Sequence, residues 1–198
     1  MLGQVTDKDR LGRNAMAGPL TRVLLDDHRR LDALFRSAVA DPHKVDASTY
    51  NPFRAGLLRH IGLEEKILLP TLQRLRGGRP YPLAAKLRLD HGALAALLMP
   101  TPRPPILGAI RAILSAHNLL EEGPDGLYEA CDHLAESEVG SLIERLRAAP
   151  EVTVTPPSDS AAVMKTVCRA LERAGYRLSD DLDHPRSSRV RTAKDQPH

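Results

Sequence analysis

Residues 60–65 read His-Ile-Gly-Leu-Glu-Glu, and residues 117–122 read His-Asn-Leu-Leu-Glu-Glu. Both stretches fit the pattern His-x-x-Leu-Glu-Glu, so a histidine stands four residues before a glutamate in each. The two pairs are His60 with Glu64 and His117 with Glu121. Side chains four residues apart on an α-helix lie on one face, about 5–6 Å apart at Cβ. Each pair can bind a cation, and two such helical turns facing each other can hold two metal ions.

Two single histidines extend the pattern to four helices. His28 lies in Leu-Leu-Asp-Asp-His-Arg-Arg-Leu, and His91 lies in Leu-Arg-Leu-Asp-His-Gly-Ala-Leu. With His60 and His117 they are spaced roughly 30 residues apart, the length of a helix of about 20 residues plus a short connection. Each histidine can therefore belong to its own helix, and antiparallel packing can bring all four to a similar depth.

Composition and charge exclude several classes of protein. A chain of 198 residues predicts one domain with room for an appendage. The net charge of +3 comes from mixed charges, and aromatic residues make up only 3%, so we expect no binding to nucleic acid. No stretch approaches the roughly 20 apolar residues that span a bilayer, so we expect no membrane insertion. The charged first 20 residues lack an apolar signal core and two cysteines make no disulfide scaffold, which predicts a cytoplasmic protein.

Apolar residues recur at steps of three and four, and the alternation typical of strands is nearly absent. We therefore predict an all-α fold, an up-down-up-down four-helix bundle with an additional C-terminal helix. The predicted helices cover residues 20–40, 52–76, 82–99, 106–122 with a continuation at 127–147, and 160–174. Pro70 should kink or shorten the second helix, because proline lacks an amide hydrogen and clashes with the preceding turn. The predicted organisation is a flexible N-terminus (1–18), the bundle (19–149), and a linker, amphipathic helix and disordered tail (150–198).

The charge of the inward-facing residues indicates a metal centre. A single histidine on an apolar stripe is more often an ordinary core residue than a ligand. Burying a carboxylate in a bundle, however, costs several kcal/mol unless a cation compensates it. Two glutamates on apolar stripes, together with four histidines, therefore predict bound metal. The predicted ligands are His28, His60, Glu64, His91, His117 and Glu121.

Nitrogen and carboxylate ligands without thiolate favour iron or manganese, and zinc is also compatible. Two six-coordinate ions offer about 12 positions. Four histidines and two bridging glutamates would fill about eight of them. The remaining positions would be left for a bridging oxide or hydroxide and for small exogenous ligands.

The two motifs and their flanks resemble the hemerythrin-like (HHE cation-binding) domain. The resemblance rests on His-Ile-Gly-Leu-Glu-Glu-Lys-Ile-Leu-Leu-Pro at 60–70, His-Asn-Leu-Leu-Glu-Glu-Gly-Pro-Asp-Gly-Leu-Tyr at 117–128, and Asp-His at 27–28 and 90–91. It covers roughly residues 20–147. The resemblance implies a four-helix bundle around a non-haem di-iron centre with an oxo or hydroxo bridge.

The ligand pattern differs from that of the oxygen-carrying members. Those proteins have His-x-x-x-His on the third helix, where this chain has Ala95 four residues after His91. Their last motif is His-x-x-x-x-Asp, whereas this chain has His-x-x-x-Glu. The set of four histidines and two glutamates is more similar to the repair-of-iron-centres proteins.

Several other residues receive secondary assignments. Glu65 and Glu122 point about 100° away from their neighbours and are expected at the rim or behind the ligands. Asp27 and Asp90 are expected to be exposed. Tyr128 could donate a hydrogen bond to the site, although a packing role is favoured, and His133 is expected on a helix surface rather than as a fifth nitrogen. Solvated positions are expected for His43, His184 and His198, and Cys168 is expected to make a small apolar contact.

Three functional hypotheses remain open from sequence alone. The leading one is a di-iron protein that binds O₂, nitric oxide or peroxide, in sensing, stress response or iron handling. The second is a regulatory bundle with a structural metal, whose C-terminal helix docks on the bundle or on a protein partner. An enzyme such as an oxygenase or peroxidase ranks last, and the sequence favours neither a monomer nor a dimer.

Overall fold

The computed structural model describes residues 17–178, and this part of the chain is helical with no strand. The predicted flexible N-terminus and disordered tail fall largely on residues 1–16 and 179–198, which lie outside the described residues. The α-helices are α1 (Pro19–Ala38), α2 (Ala47–Leu63), α3 (Leu69–Leu75), α4 (Ala84–Leu97), α5 (Pro104–Glu122), α6 (Leu127–Leu134), α7 (Val139–Ala148) and α8 (Ala161–Ala174). A π-helical turn (Glu64–Leu68) joins α2 to α3, and a 3₁₀ turn (Glu136–Glu138) joins α6 to α7. The predicted helical bundle with an extra C-terminal helix is confirmed.

The second bundle helix begins earlier than the sequence pattern indicated. Its N-cap is Asp46, whose carboxylate accepts a hydrogen bond from the Ser48 amide, and Pro52 lies inside α2 rather than at its start. An Asp side chain that satisfies a free amide is a strong helix start. At the other end of the chain, Ser160 caps α8 in the same way, and Gly175 ends it in the left-handed conformation (φ 86°).

Pro70 does not end the helix in which it lies. The chain continues helically to Leu75, and the π turn immediately precedes Pro70. In that turn the Leu69 amide donates to the Glu64 carbonyl, five residues back. A proline ring would clash with the carbonyl four residues before it, and the wider π turn accommodates the ring. The irregularity therefore falls next to Glu64, a predicted metal ligand.

The buried polar groups separate two apolar clusters. On α1, Leu24 belongs to one cluster and Leu31 to the other, with His28 between them. On α4, Leu87 and Leu94 flank His91 in the same way. The histidine layer therefore crosses the middle of the bundle, with apolar packing above and below it.

The chain after the bundle is attached to it. The buried Arg54 side chain donates from Nε to the Leu98 carbonyl (2.9 Å) and from an Nη atom to the Thr155 carbonyl (3.0 Å). Helix α8 then packs on α4 and buries Val167 and Leu171. The prediction for Cys168 is wrong, because this side chain is exposed on the outer face of α8. Within residues 17–178, no helix is both long and apolar enough to cross a membrane.

Candidate metal site

The bundle brings the six predicted ligands together in its centre. The most exposed is His28 at 8%, and Glu64 and Glu121 are completely buried. Their ligand atoms form two groups, each within 4.8 Å. His28 and His60 define the first group, His91 and His117 define the second, and the two glutamates belong to both.

Each glutamate divides its two oxygens between the groups. Glu64 places Oε1 3.3 Å from His60 Nε2 and Oε2 3.0 Å from His91 Nε2. Glu121 places Oε2 3.5 Å from His28 Nε2 and Oε1 2.9 Å from His117 Nε2. One carboxylate oxygen per group is the arrangement that a bridging carboxylate needs.

The ε-nitrogens of each histidine pair face each other. The Nε2 atoms of His28 and His60 are 2.8 Å apart, and those of His91 and His117 are 3.1 Å apart. In the first pair both Nδ1 atoms contact carboxylates, of Glu122 (2.6 Å) and Asp27 (2.9 Å). A carboxylate only accepts hydrogen bonds, so each Nδ1 carries the proton. If both imidazoles are neutral, the two Nε2 lone pairs then point at each other, so either a metal ion or an extra proton must lie between them.

Carboxylates of the flanking residues support the imidazoles from behind, in a cyclic pattern. Asp27 on α1 contacts His60 on α2, and Glu65 in the π turn after α2 contacts His91 on α4 at 2.7 Å. Asp90 on α4 lies 3.6 Å from His117 Nδ1 on α5, and Glu122 on α5 contacts His28 on α1. The site therefore has an approximate twofold symmetry that matches the repeated sequence motif.

The expectation of exposed aspartates is wrong. Asp90 is completely buried and Asp27 is 17% exposed. Both turn sideways towards the next helix, a direction that periodicity along their own helix does not reveal. The available signal was the repeated doublet, since an acidic residue adjoins a ligand in Asp27-His28, Glu64-Glu65, Asp90-His91 and Glu121-Glu122.

The buried carboxylates favour positive charge on the neighbouring imidazoles. Burial opposes protonation of His60, but the carboxylates of Glu64 and Asp27 outweigh it and raise its pKa to about 10. Burial also opposes protonation of His91, but the carboxylates of Glu121 and Glu64 outweigh burial and raise the pKa of His91 to about 11. Burial opposes ionisation of Glu64, yet the adjacent imidazoles hold its pKa well below the ordinary value. Without metal, protons on His60, His91 and His117 therefore compensate the buried carboxylates.

The donor set fits a pair of metal ions. Glu64 Oε2 and Glu121 Oε1 are buried and have no aligned hydrogen-bond donor, although imidazoles lie close to both. Buried oxygens of this kind are costly unless something satisfies them. Imidazole nitrogen and carboxylate oxygen are ligands for iron, manganese and zinc, and the outer carboxylates orient the rings as they do in metalloproteins.

Other candidate residues divide clearly between the site and the surface. Tyr128 reaches the first group, where its Oη lies 2.8 Å from Glu64 Oε1. The prediction that favoured a packing role for Tyr128 was therefore incomplete. His133 is 74% exposed on the surface of α6, as predicted, and His43 is also exposed. His184 and His198 lie outside the described residues. A cleft of about 1040 Å³ lies between α1, α6 and α7, and Glu121 and Tyr128 form part of its lining.

Comparison with known families agrees with this geometry. The family model described as the hemerythrin HHE cation binding domain matches residues 20–123, more than half of the chain. The chain belongs to the hemerythrin HHE family. No curated protein and no solved structure gives a significant match. The matched region contains all six predicted ligands, and it ends before Tyr128.

Proposed function

We propose that this hemerythrin-family chain is a non-haem di-iron protein that binds a small ligand such as O₂, nitric oxide or peroxide. One iron is held by His28 and His60, the other by His91 and His117, with Glu64 and Glu121 bridging. Manganese and zinc fit the same donor atoms. The proposed cellular role is sensing, stress response or iron handling in the cytoplasm. The proposed ligand set is more similar to that of the repair-of-iron-centres proteins than to that of the oxygen-carrying hemerythrins.

One observation carries the proposal: both buried glutamates give one oxygen to each histidine pair. A site for one ion would need both oxygens, or one of them, at a single position. The divided arrangement instead supports two ions side by side. Bound iron would supply open coordination positions and a reversible one-electron couple.

The chain's own residues would hold, orient and shield those ions. The two apolar clusters exclude bulk water above and below the polar layer. Asp27 and Glu65 hold the δ-proton on His60 and His91, which leaves each Nε2 as the ligand atom. The cleft that Glu121 and Tyr128 help to line would be the side from which a small ligand approaches.

Iron loading tests the proposal directly. The metal-free full-length protein is loaded with ferrous iron under anaerobic conditions, desalted, analysed for metal, and then exposed separately to O₂, nitric oxide and peroxide. Two irons per chain and an oxo-to-iron absorption band in the near ultraviolet after oxidation are expected. Less than one iron per chain with no such band would refute the di-iron assignment. A metal that raises the melting temperature but is silent to all three ligands would indicate a structural site.

Paired variants separate ligation from general damage. Glu64→Gln keeps the size of the side chain but removes its charge, so iron binding should fall below two per chain. The exposed Glu144→Gln is the matched control and should bind iron as the unmodified protein does. Equal iron content in both variants would contradict a bridging role for Glu64.

A further inference from the structure

The phenol of Tyr128 occupies a position within the first metal group that its hydrogen bonds do not explain. Its Oη lies 2.9 Å from His28 Nε2 and 3.2 Å from His60 Nε2. It also lies 2.8 Å from Glu64 Oε1 and 3.2 Å from Glu121 Oε2. The phenol oxygen is thus almost equally distant from four atoms. These four atoms are the ones that would bind the first iron.

A neutral phenol cannot satisfy these neighbours. It has one proton to donate, whereas the two ionised carboxylate oxygens only accept hydrogen bonds. In the metal-loaded protein the imidazole Nε2 atoms carry no proton either, so one of the two carboxylate contacts is left without a donor. The side chain is completely buried, so bulk solvent does not make up the missing bond. A cation shared by the phenol oxygen and the carboxylates would remove the conflict.

The distances agree with octahedral coordination. Metal–nitrogen and metal–oxygen bonds are about 2.1 Å, and two ligands at right angles are then about 3.0 Å apart. The four separations from Tyr128 Oη run from 2.8 to 3.2 Å. The oxygen thus lies at the position of a fifth ligand next to the other four.

The local fold holds Tyr128 in this position. Helix α5 ends at Glu122, and a tight turn starts α6 at Leu127. A Cβ atom on Gly126 would lie 2.6 Å from the Glu121 carbonyl oxygen, so only glycine allows this close approach. Farther along α6, Asp132 accepts hydrogen bonds from the amides of Leu20 and Thr21 and so fastens α6 to the start of α1.

No other tyrosine hydroxyl contacts the second group. The chain has four tyrosines, all described. Tyr81 Oη donates to the Asp125 carbonyl, Tyr176 Oη contacts Lys86, and Tyr50 Oη is buried without a hydrogen-bond partner. Only Tyr128 hydrogen-bonds to the site, so the twofold symmetry of the ligands ends with this residue.

We propose that Tyr128 Oη is a fifth protein ligand of the iron held by His28 and His60, which makes the two irons chemically different. On ligation the O–H bond breaks, the proton leaves to the buffer, and the phenolate oxygen binds iron. The second iron, with four protein ligands, then keeps more positions for an exogenous ligand. This inference rests on the proposed di-iron function.

The colour of the ferric protein tests the ligation. Phenolate bound to ferric iron absorbs visible light by charge transfer, and neither histidine nor carboxylate does so at those wavelengths. The protein is loaded with ferrous iron and oxidised with ferricyanide, which accepts one electron per iron. A visible band is expected, and Raman excitation within it should enhance tyrosine ring vibrations.

Two tyrosine variants assign the band. Tyr128→Phe should lose the visible band while retaining both irons and the near-ultraviolet oxo band. Tyr50→Phe, which removes an unpartnered buried hydroxyl far from the site, should keep it. If Tyr128→Phe does not fold, unmodified protein with ring-deuterated tyrosine replaces it, and the enhanced vibrations should shift.

The outcomes distinguish the two proposals. Failure of the unmodified protein to bind iron would refute the di-iron function and this inference with it. Normal iron content and an oxo band without any visible phenolate band would overturn the inference alone. A visible band that survives in Tyr128→Phe would also overturn it.

Discussion

At the scale of single residues, the orientation of each imidazole depends on a carboxylate from the neighbouring helix. The partners of Asp27 illustrate this, since it contacts His60 on one side and the Arg30 guanidinium on the other. Burial opposes ionisation of Asp27, but His60 and Arg30 prevail and lower its pKa to about 2. Asp27 is therefore a permanent acceptor that fixes both the ring orientation and the tautomer of His60.

Replacing this acceptor should weaken metal binding without removing a ligand. In Asp27→Asn the amide cannot match the charge-assisted contact, so we expect metal affinity to fall by about 10- to 100-fold. Chelator competition with ferrous or zinc ions measures the change. Asp26→Asn is the matched control, because the neighbouring Asp26 is exposed and pairs with Arg29. Equal affinities of the two variants would show that the contact behind His60 has no influence on the metal.

The residues of the site differ in how well the sequence predicts them. Helical spacing identified His60 with Glu64 and His117 with Glu121, because residues on one face of one helix are related by a fixed step. The direction of Asp90 towards His117 depends on the rotation of one helix against another, which no single-helix pattern contains. The position of Tyr128 was harder still to predict, because a turn separates this residue from the helix that carries Glu121 and helical spacing does not extend across a turn.

At the scale of the helices, regular α-geometry stops at both Glu-Glu doublets. Helix α2 gives way to the π turn at Glu64, and α5 ends at Glu122. π turns inside helices are frequent at functional sites. The sequence predicted the helices and most of their ends from glycine and proline signals. It did not predict a π turn, because the period of apolar residues is too coarse to show one extra residue.

Helix α8 closes the bundle over α4, and its inner face should contribute to stability. Leu171 is 1% exposed and packs in the cluster that includes Leu94 and Ile110. Leu171→Ala should lower the free energy of unfolding by about 2–5 kcal/mol. Cys168→Ala, at an exposed position of the same helix, should change it by about 0.5 kcal/mol or less. Urea unfolding followed by circular dichroism compares them, and equal midpoints would mean that α8 does not pack on the bundle in solution.

At the scale of the whole molecule, the bundle places ionisable groups in a layer between two apolar clusters. Without metal, that layer is stable only if protons balance the carboxylates. The pKa values of three site histidines are raised from 6.5, to about 9 for His117, about 10 for His60 and about 11 for His91. Above pH 6.5 the folded protein therefore binds more protons than the unfolded chain, so its stability falls as pH rises towards those values. The glutamates have the opposite sign, because the pKa values of Glu64 and Glu121 are lowered from 4.5 and stability falls as the pH drops below that value.

The metal-free protein should therefore be most stable between about pH 4.5 and pH 6.5. Its melting temperature should decrease by several degrees from about pH 6.5 to pH 9. Bound metal requires neutral imidazoles and supplies the positive charge itself, so the metal-loaded protein should lose much less stability over the same range. Differential scanning calorimetry of both forms measures the two profiles, and His133→Ala should leave them unchanged because His133 is exposed. A metal-free melting temperature that rises from pH 6.5 to pH 9 would mean that protons do not compensate the buried carboxylates, and the electrostatic case for a metal at this site would fail with it.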